Sequence, residues 1–211
     1  RTTMDVKLVW ATHDAERMIA YMARVSNPSN QMNNETAPKL LNYLMKHKHW
    51  SPFEMVNVCM EIECTRDIAR QILRHRSFSF QEFSQRYAVA DGYEYAETRL
   101  QDTKNRQNSL PVQDRELMRY WQEQQQNVLR TARKAYEVAL NNGIAKEVAR
   151  KVLPEGLTTS RMYMNGTLRS WIHYVTVRTD PSTQKEHREV AQKCKELLEA
   201  LFPNVFKELP Q

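Results

Sequence analysis

Hydrophobic and polar positions alternate most regularly over residues 55–64. Val56, Val58, Met60, Ile62 and Cys64 take one phase, and Asn57, Cys59, Glu61 and Glu63 the other. Successive side chains of a strand point to opposite faces, so this pattern predicts a strand with one buried face. Residues 4–12 carry a shorter period-two pattern and predict another strand. Elsewhere the apolar spacing is helical. Met18, Ile19 and Met22 make the stripe of a helix predicted from Asp14, as N-cap, to about Val25. Asn27-Pro28-Ser29-Asn30 reads as a turn. Residues 36–48 predict a second helix with Leu40, Leu41 and Leu44 inward, ended by Ser51-Pro52. Thr65 as a cap, followed by Ile68, Ile72 and Leu73, predicts a third helix running into Arg74-His75-Arg76.

Residues 77–110 are polar and aromatic with weak periodicity, which predicts a loop-rich region holding one short strand. The longest helix is predicted from about Asp114 to Asn142, with Gly143 as its C-terminal glycine. Its Leu117, Tyr120, Trp121, Val128 and Tyr136 read as core or subunit contact rather than a cofactor box. A short helix over 144–151 stops before Pro154. Leu168, Trp171, Ile172 and Val175 face inward from a helix over 167–178, and a last helix over about 183–202 ends at Pro203. There is no internal repeat, linker or low-complexity tract. The expected architecture is one helix-rich α/β domain over residues 1–211, without βαβ alternation.

A chain of 211 residues with 41% hydrophobic and 27% charged positions can bury a sizeable core and is not disordered in composition. No apolar run approaches the length of a membrane span, and the first ten residues lack a signal-peptide core. A cytoplasmic location is expected. Glycine changes the picture most. The four glycines are Gly92, Gly143, Gly156 and Gly166, the closest pair ten residues apart. Neither a G-x-G-x-x-G turn nor a P-loop can be written with them. The three cysteines, Cys59, Cys64 and Cys194, form no C-x-x-C, and no Cys/His set has zinc spacing, so no metal site is expected. Cys59 and Cys64 lie in the alternating stretch and read as small buried hydrophobes rather than catalytic thiols.

The net charge is +6, which suits an anionic ligand. The charge gathers in residues 66–86, with Arg66, Arg70, Arg74, Arg76 and Arg86 against only Asp67 and Glu82. Gln71 and Arg74 share a helix face, whereas Arg74, His75 and Arg76 fan out by about 100° each and cannot all meet one point. An arginine fork matches phosphate oxygens. On composition alone the segment is a solvated cationic helix end, an anion site or a nucleic-acid contact.

Arg74-His75-Arg76, seven residues, then Ser84-Gln85-Arg86-Tyr87 resembles the signature of the flavin-dependent thymidylate synthases. Five further elements are similar to that family's, in family order: Ala23-Arg24-Val25-Ser26, the His49 to Glu54 run with Ser51-Pro52-Phe53, Ala149-Arg150 through Leu153-Pro154, Arg169 through His173 to Arg178, and Gln184-x-Glu186. The resemblance covers about residues 20–190. It implies a compact fold with a small, mostly antiparallel sheet that holds flavin without a Rossmann unit, in agreement with the glycine count. It also implies a homotetramer with active sites at subunit interfaces. The implied reaction makes dTMP from dUMP, with methylenetetrahydrofolate as carbon donor and NADPH-reduced FAD as hydride carrier, and without a cysteine nucleophile.

By motif position, the resemblance places Arg74, His75 and Arg76 on FAD, with Glu82 nearby and Ser26, Ser51, Arg169 and His173 lining the flavin site. Gln71, Arg74, Glu82, Ser84, Arg86, Arg150 and Arg178 fall at dUMP. Arg178 matches the arginine at the uracil ring, and His49 sits near the flavin. Ser84 is read as a phosphate hydrogen-bond donor, since no base is identifiable beside it. The family's late motif reads Asn-x-Arg. Here Thr167 stands two residues before Arg169 and Asn165 two further back, so either fills that polar role. Structural roles stand beside these: Ser26 as a turn residue, His49 as a helix-end histidine, His173 as a core histidine. The alternative function is a basic nucleic-acid-binding protein, disfavoured by Glu82 within the patch and by basic residues spread along the chain. A flavoprotein without activity is disfavoured by the presence of Arg86 and Arg178.

Overall fold

The alternating segment becomes strand β2 (Asn57–Thr65), and it is paired on both sides in the structure, a computed structural model that describes residues 4–207. One neighbour is β1 (Asp5–Ala11), with Val6 opposite Ile62 and a bulge between Leu8 and Trp10. The other is β6 (Thr159–Thr167), in unbroken register from Asn57 opposite Thr167 to Thr65 opposite Thr159. The short β3 (Ser79–Glu82) flanks β6, giving an antiparallel sheet of order β1-β2-β6-β3. A separate hairpin joins β4 (Arg99–Gln101) and β5 (Ser109–Pro111).

The helices are α1 (Ala15–Ala23), α2 (Ala37–Lys46), α3 (Arg66–Ile72), α4 (Arg115–Asn141), α5 (Lys146–Ala149), α6 (Leu168–Arg178), α7 (Lys185–Leu201) and α8 (Pro203–Phe206). The core lies between one sheet face and α1, α3, α6 and α7. Val58, Met60, Ile62, Met162 and Met164 meet Ile19, Ile68, Leu168, Trp171 and Leu198 there, all nearly inaccessible. Each such side chain contributes about 1.5–3 kcal/mol of burial. The Trp171 indole donates to the Val58 carbonyl at 3.0 Å, which ties α6 to β2 without stranding a polar group.

Several expectations need correction. The long β6 has no counterpart in the sequence reading, although Ser160, Met162, Met164 and Gly166 alternate with Arg161, Tyr163 and Asn165; the polar residues and the glycine weaken its apolar signal. Gly166 is required by close approach, since a Cβ there would lie 2.5 Å from the Phe78 ring. Residues 77–110 hold three short strands, not one. Asp14 occupies the N-cap position at φ 50°, but its carboxylate pairs with Arg17 at 2.7 Å and makes no capping bond. Thr65 also makes none; its hydroxyl donates to Asp67. Pro203 does end α7 and at once begins α8 at a first-turn position.

Asp114 does cap α4, accepting from the backbone N–H groups of Glu116 and Leu117. Gly143 adopts φ +79°, and Ile144 N–H closes back onto the Ala139 carbonyl at 3.0 Å. Of the 27 residues of α4, only Gln125, Leu129 and Tyr136 are buried. Tyr120, Trp121 and Val128 are exposed, so they do not belong to this chain's core.

Candidate active site

The third helix ends at Ile72, and the next residues leave it in a turn, so Arg74, His75 and Arg76 diverge. His75 points inward, edge-on to Tyr174 at 4.8 Å between ring centres. Arg74 and Arg76 are exposed, and neither guanidinium has a partner among the described residues. His75 Nε2 accepts from Arg178 Nε at 2.8 Å, joining this turn to the end of α6. Burial, together with the positive charge of Arg178 and the nearby His173, pushes the His75 pKa down to about 4. The ring is therefore neutral near pH 7, with its proton on Nδ1.

Beside this pair a polar chain runs from the surface at Gln184 inward to the buried His187 and Tyr174. The Gln71 amide donates from Nε2 to Gln184 Oε1 at 2.8 Å. Its Oε1 lies 3.1 Å from His187 Nδ1, and His187 Nε2 lies 2.8 Å from the Tyr174 hydroxyl. His187 is fully buried, and burial with the neighbouring Arg178 and His75 lowers its pKa to about 3. Sequence reasoning missed His187 and Tyr174. The signal was spacing: Tyr174 falls on the Trp171–Val175 stripe, and His187 precedes Val190, Ala191 and Cys194 on the apolar face of α7.

A cleft of about 940 Å³ opens on the far face of α6. Met45, Trp50 and Ile172 supply its apolar wall, and its polar lining includes Lys46, Lys48, Glu54, Arg169 and His173. His173 is exposed there, which excludes the core role. Arg169 pairs with Glu54 at 3.1 Å. Ser51, at the start of a 3₁₀ turn (Ser51–Met55), and Ser26, in the turn after α1, are both exposed. His49 is exposed beside Tyr43 and His47. Its backbone N–H closes α2 by donating to Leu44 O at 2.9 Å, past Lys48 at φ 55°. Arg24 of the early element is buried instead, donating to Asn33 O and Thr36 Oγ1 to brace the approach to α2.

Two candidate polar contacts near Arg169 now separate. The Thr167 hydroxyl caps α6, accepting from Ser170 N–H at 3.2 Å. The buried Oδ1 of Asn165 has no hydrogen-bond partner among the described residues.

The remaining arginines fall into different roles. Arg66 pairs with Glu155 at 3.0 Å. Arg70 grips both oxygens of Glu82, which also accepts from Ser160 Oγ at 2.6 Å. Glu82 is thus held within the fold. Residues 66–86 are consequently not one continuous cationic patch. Arg86 and Arg150 meet at Glu147: Arg86 Nε lies 3.6 Å from its carboxylate, and Arg150 Nε donates to its carbonyl at 3.3 Å. Ser84 Oγ accepts from Arg86 N–H at 3.3 Å, and no base is bonded to it among the described residues. The cysteines are all free and buried. Burial raises the thiol pKa of each, to about 12 for Cys64, so none is a thiolate at neutral pH.

Fold and side chains define an α/β protein that gathers arginines from helix ends and turns around an antiparallel sheet, suited to large anions without a glycine-rich loop. A family model described as "Thymidylate synthase complementing protein" matches residues 7–204. The probable flavin-dependent thymidylate synthase of Paramecium bursaria Chlorella virus 1 is 48% identical over 214 residues, covering 98% of this chain and 99% of that relative. The flavin-dependent thymidylate synthase of Synechocystis sp. (strain ATCC 27184 / PCC 6803 / Kazusa) is 52% identical over 190 residues, 90% of this chain and 87% of the relative. In fold, the chain is similar to the crystal structure of the UMP/dUMP methylase PolB from Streptomyces cacaoi bound with 5-Br dUMP. The TM-score is 0.87 at 24% identity, covering 98% of this chain and 94% of the other. The chain belongs to the flavin-dependent thymidylate synthase family.

Proposed function

We infer that this chain converts dUMP to dTMP by reductive methylation, with methylenetetrahydrofolate as carbon donor and NADPH-reduced FAD as hydride carrier. The observation that carries this reading is the 2.8 Å bond from Arg178 to His75. It places a residue assigned by motif to the uracil ring against one assigned to the flavin.

The donor set fits FAD. Among the described residues Arg74 and Arg76 are cations without partners and Asn165 has an unfilled acceptor, and the cleft beside Arg169 and His173 pairs an apolar wall with Lys46, Lys48 and the Arg169–Glu54 pair. When bound, FAD supplies a two-electron carrier for hydride. The residues that hold it are Arg74, His75 and Arg76, with Ser26, Ser51, Arg169 and His173 around it and His49 near its ring system. Asn165 is the better polar contact of the two near Arg169, because Thr167 is occupied in capping α6.

On the nucleotide side, Gln71 and Arg178 recognise uracil. A fixed guanidinium beside N3 and O4 favours the anion at N3 and makes C5 more nucleophilic. Arg86 and Arg150 clamp the phosphate, which positions the substrate and replaces their present contacts with Glu147. Ser84 donates a hydrogen bond to the same phosphate and does not attack the ring. Arg74 lies between the two ligands in this assignment. Glu82 supports both indirectly by holding Arg70 and Ser160.

We further propose that the chain acts as a homotetramer with active sites at subunit interfaces, folded as one domain and working in the cytoplasm. The bare side of α4, with Met118, Trp121 and Val128 exposed, supports self-association. Three free cysteines support a reducing compartment. No helix among the described residues is long and apolar enough to cross a membrane. The pairing of Arg66 and Arg70 with carboxylates leaves nucleic-acid binding without support. An absorption spectrum tests the cofactor: a bound band at about 450 nm that bleaches with NADPH supports the reading, and protein that takes up no FAD contradicts it.

A further inference from the structure

His187 is the least expected polar group in the molecule: fully buried, on the apolar face of α7, and absent from every motif quoted above. Its surroundings fix its state. Glu186, gripped by Arg99 Nη2 at 2.6 and 2.8 Å, faces the Gln184 amide nitrogen at 3.5 Å. A carboxylate only accepts, so Gln184 turns its NH₂ toward Glu186 and its carbonyl toward Gln71. Gln71 then presents NH₂ to Gln184 and its carbonyl to His187. A carbonyl needs a donor, so His187 carries its proton on Nδ1 and accepts from the Tyr174 hydroxyl on Nε2. Reversing the chain would set the Gln184 carbonyl against a carboxylate with nothing to donate.

We propose that His187 is a positioning residue for Gln71, holding the amide carbonyl so that Gln71 shows uracil one fixed edge, with a free N–H and a free carbonyl lone pair. This rests on the assignment of Gln71 to the dUMP site. An imide presents two carbonyls flanking one N–H. An amide that rotates freely offers the wrong partner half the time, whereas one held at both ends is preorganised. The low pKa of His187 keeps the ring neutral, so Nε2 stays an acceptor for Tyr174 and the polarity does not depend on pH near neutrality.

A purely structural role predicts something different, and paired substitutions separate the two. Tyr174→Phe with His187→Leu replaces both partners by apolar groups of similar volume, which is close to neutral for stability. It leaves the Gln71 carbonyl without its donor. With FAD-loaded protein, the double variant is expected to melt near the parent temperature, bind FAD normally and keep kcat within about twofold, while the Kd and KM for dUMP rise about tenfold, the loss of one hydrogen bond. Tyr174→Phe with His187→Asn returns an N–H near the Nδ1 position and is expected to recover most of that affinity. Parent-like dUMP affinity in the double variant overturns the proposal when Gln71→Ala weakens binding. Parent-like affinity in Gln71→Ala overturns the underlying assignment instead. If the double variant does not fold, ¹⁵N-histidine spectra of the parent enzyme decide. His187 protonated on Nδ1, with that resonance shifting on addition of dUMP, supports the proposal, and an Nε2–H tautomer or no shift overturns it.

Discussion

Arg178 donates only its Nε to His75 at 2.8 Å, and its two terminal nitrogens have no hydrogen-bond partner among the described residues. The bond fixes the guanidinium plane from behind and leaves the Nη1/Nη2 fork for a ligand. Burial first, and then the Arg178 charge, keep His75 neutral, the state in which its Nε2 can accept from the guanidinium. Two segments 103 residues apart are thereby set as one unit.

Arg178→Ala tests the fork. The residue acts on uracil in this account, so methylation should fall by about 100-fold or more, as for removal of an electrostatic stabiliser. NADPH-driven bleaching of bound FAD should change by no more than about threefold, since it needs no group on dUMP. Stopped-flow reduction and dTMP formation measured on one preparation make the comparison. Equal losses in both would assign Arg178 a structural role through His75.

Ser84→Ala should weaken dUMP binding by about 10- to 150-fold, the range of one hydrogen bond to a charged group, and leave measurable turnover at saturating dUMP. Isothermal titration with dUMP and a saturation curve are the readouts. Abolished chemistry with normal affinity would make the hydroxyl a participant in the reaction.

Gly166→Ala should destabilise the fold by about 1–3 kcal/mol. The new methyl would meet the Phe78 ring at 2.5 Å, and that ring is wedged against Trp171 at 4.8 Å and cannot swing away. Phe78→Leu in the same chain should recover part of the loss. Urea unfolding of the three proteins gives the answer, and an unchanged midpoint for Gly166→Ala would refute the packing argument.

Acid should unfold the protein through its interior histidines. His75 and His187 titrate at about 4 and 3 in the folded chain, below the ordinary value of 6.5, because burial and Arg178 disfavour their charged forms. The unfolded chain therefore binds more protons below pH 6.5. Stability is full above that pH and declines as the pH falls toward 4 and 3, with His187 alone contributing a slope of about 1.4 kcal/mol per pH unit. Urea midpoints between pH 7.5 and 5 should fall, and less steeply in the Tyr174→Phe, His187→Leu variant. Identical profiles would remove His187 from the cause.

The sequence is legible where one local rule dominates. Strand β2 keeps period two at its buried positions apart from Cys59, which is buried on the other face, and Gly143 can be assigned from its place after a long stripe. The R-H-R signature and its five companions point to the family because ordered strings survive without geometry. What stayed hidden is long-range. β6 is central only because β2 and β3 pair with it, and its own residues are too polar to announce a strand. The Arg70–Glu82–Ser160 cluster and the Gln71–His187 contact join segments 12, 78 and 116 residues apart. Helical spacing shows that Arg74, His75 and Arg76 diverge, but not that the histidine is the one that turns inward.

The methylation of dUMP is itself open to direct assay. Purified protein incubated with FAD, NADPH, methylenetetrahydrofolate and dUMP, with nucleotides resolved by chromatography, tests it most directly. The expected result is dTMP in stoichiometry with dUMP consumed, dependence on both FAD and NADPH, and near-complete loss in Arg178→Ala. FAD-loaded protein whose flavin is reduced by NADPH but which forms no dTMP would contradict it.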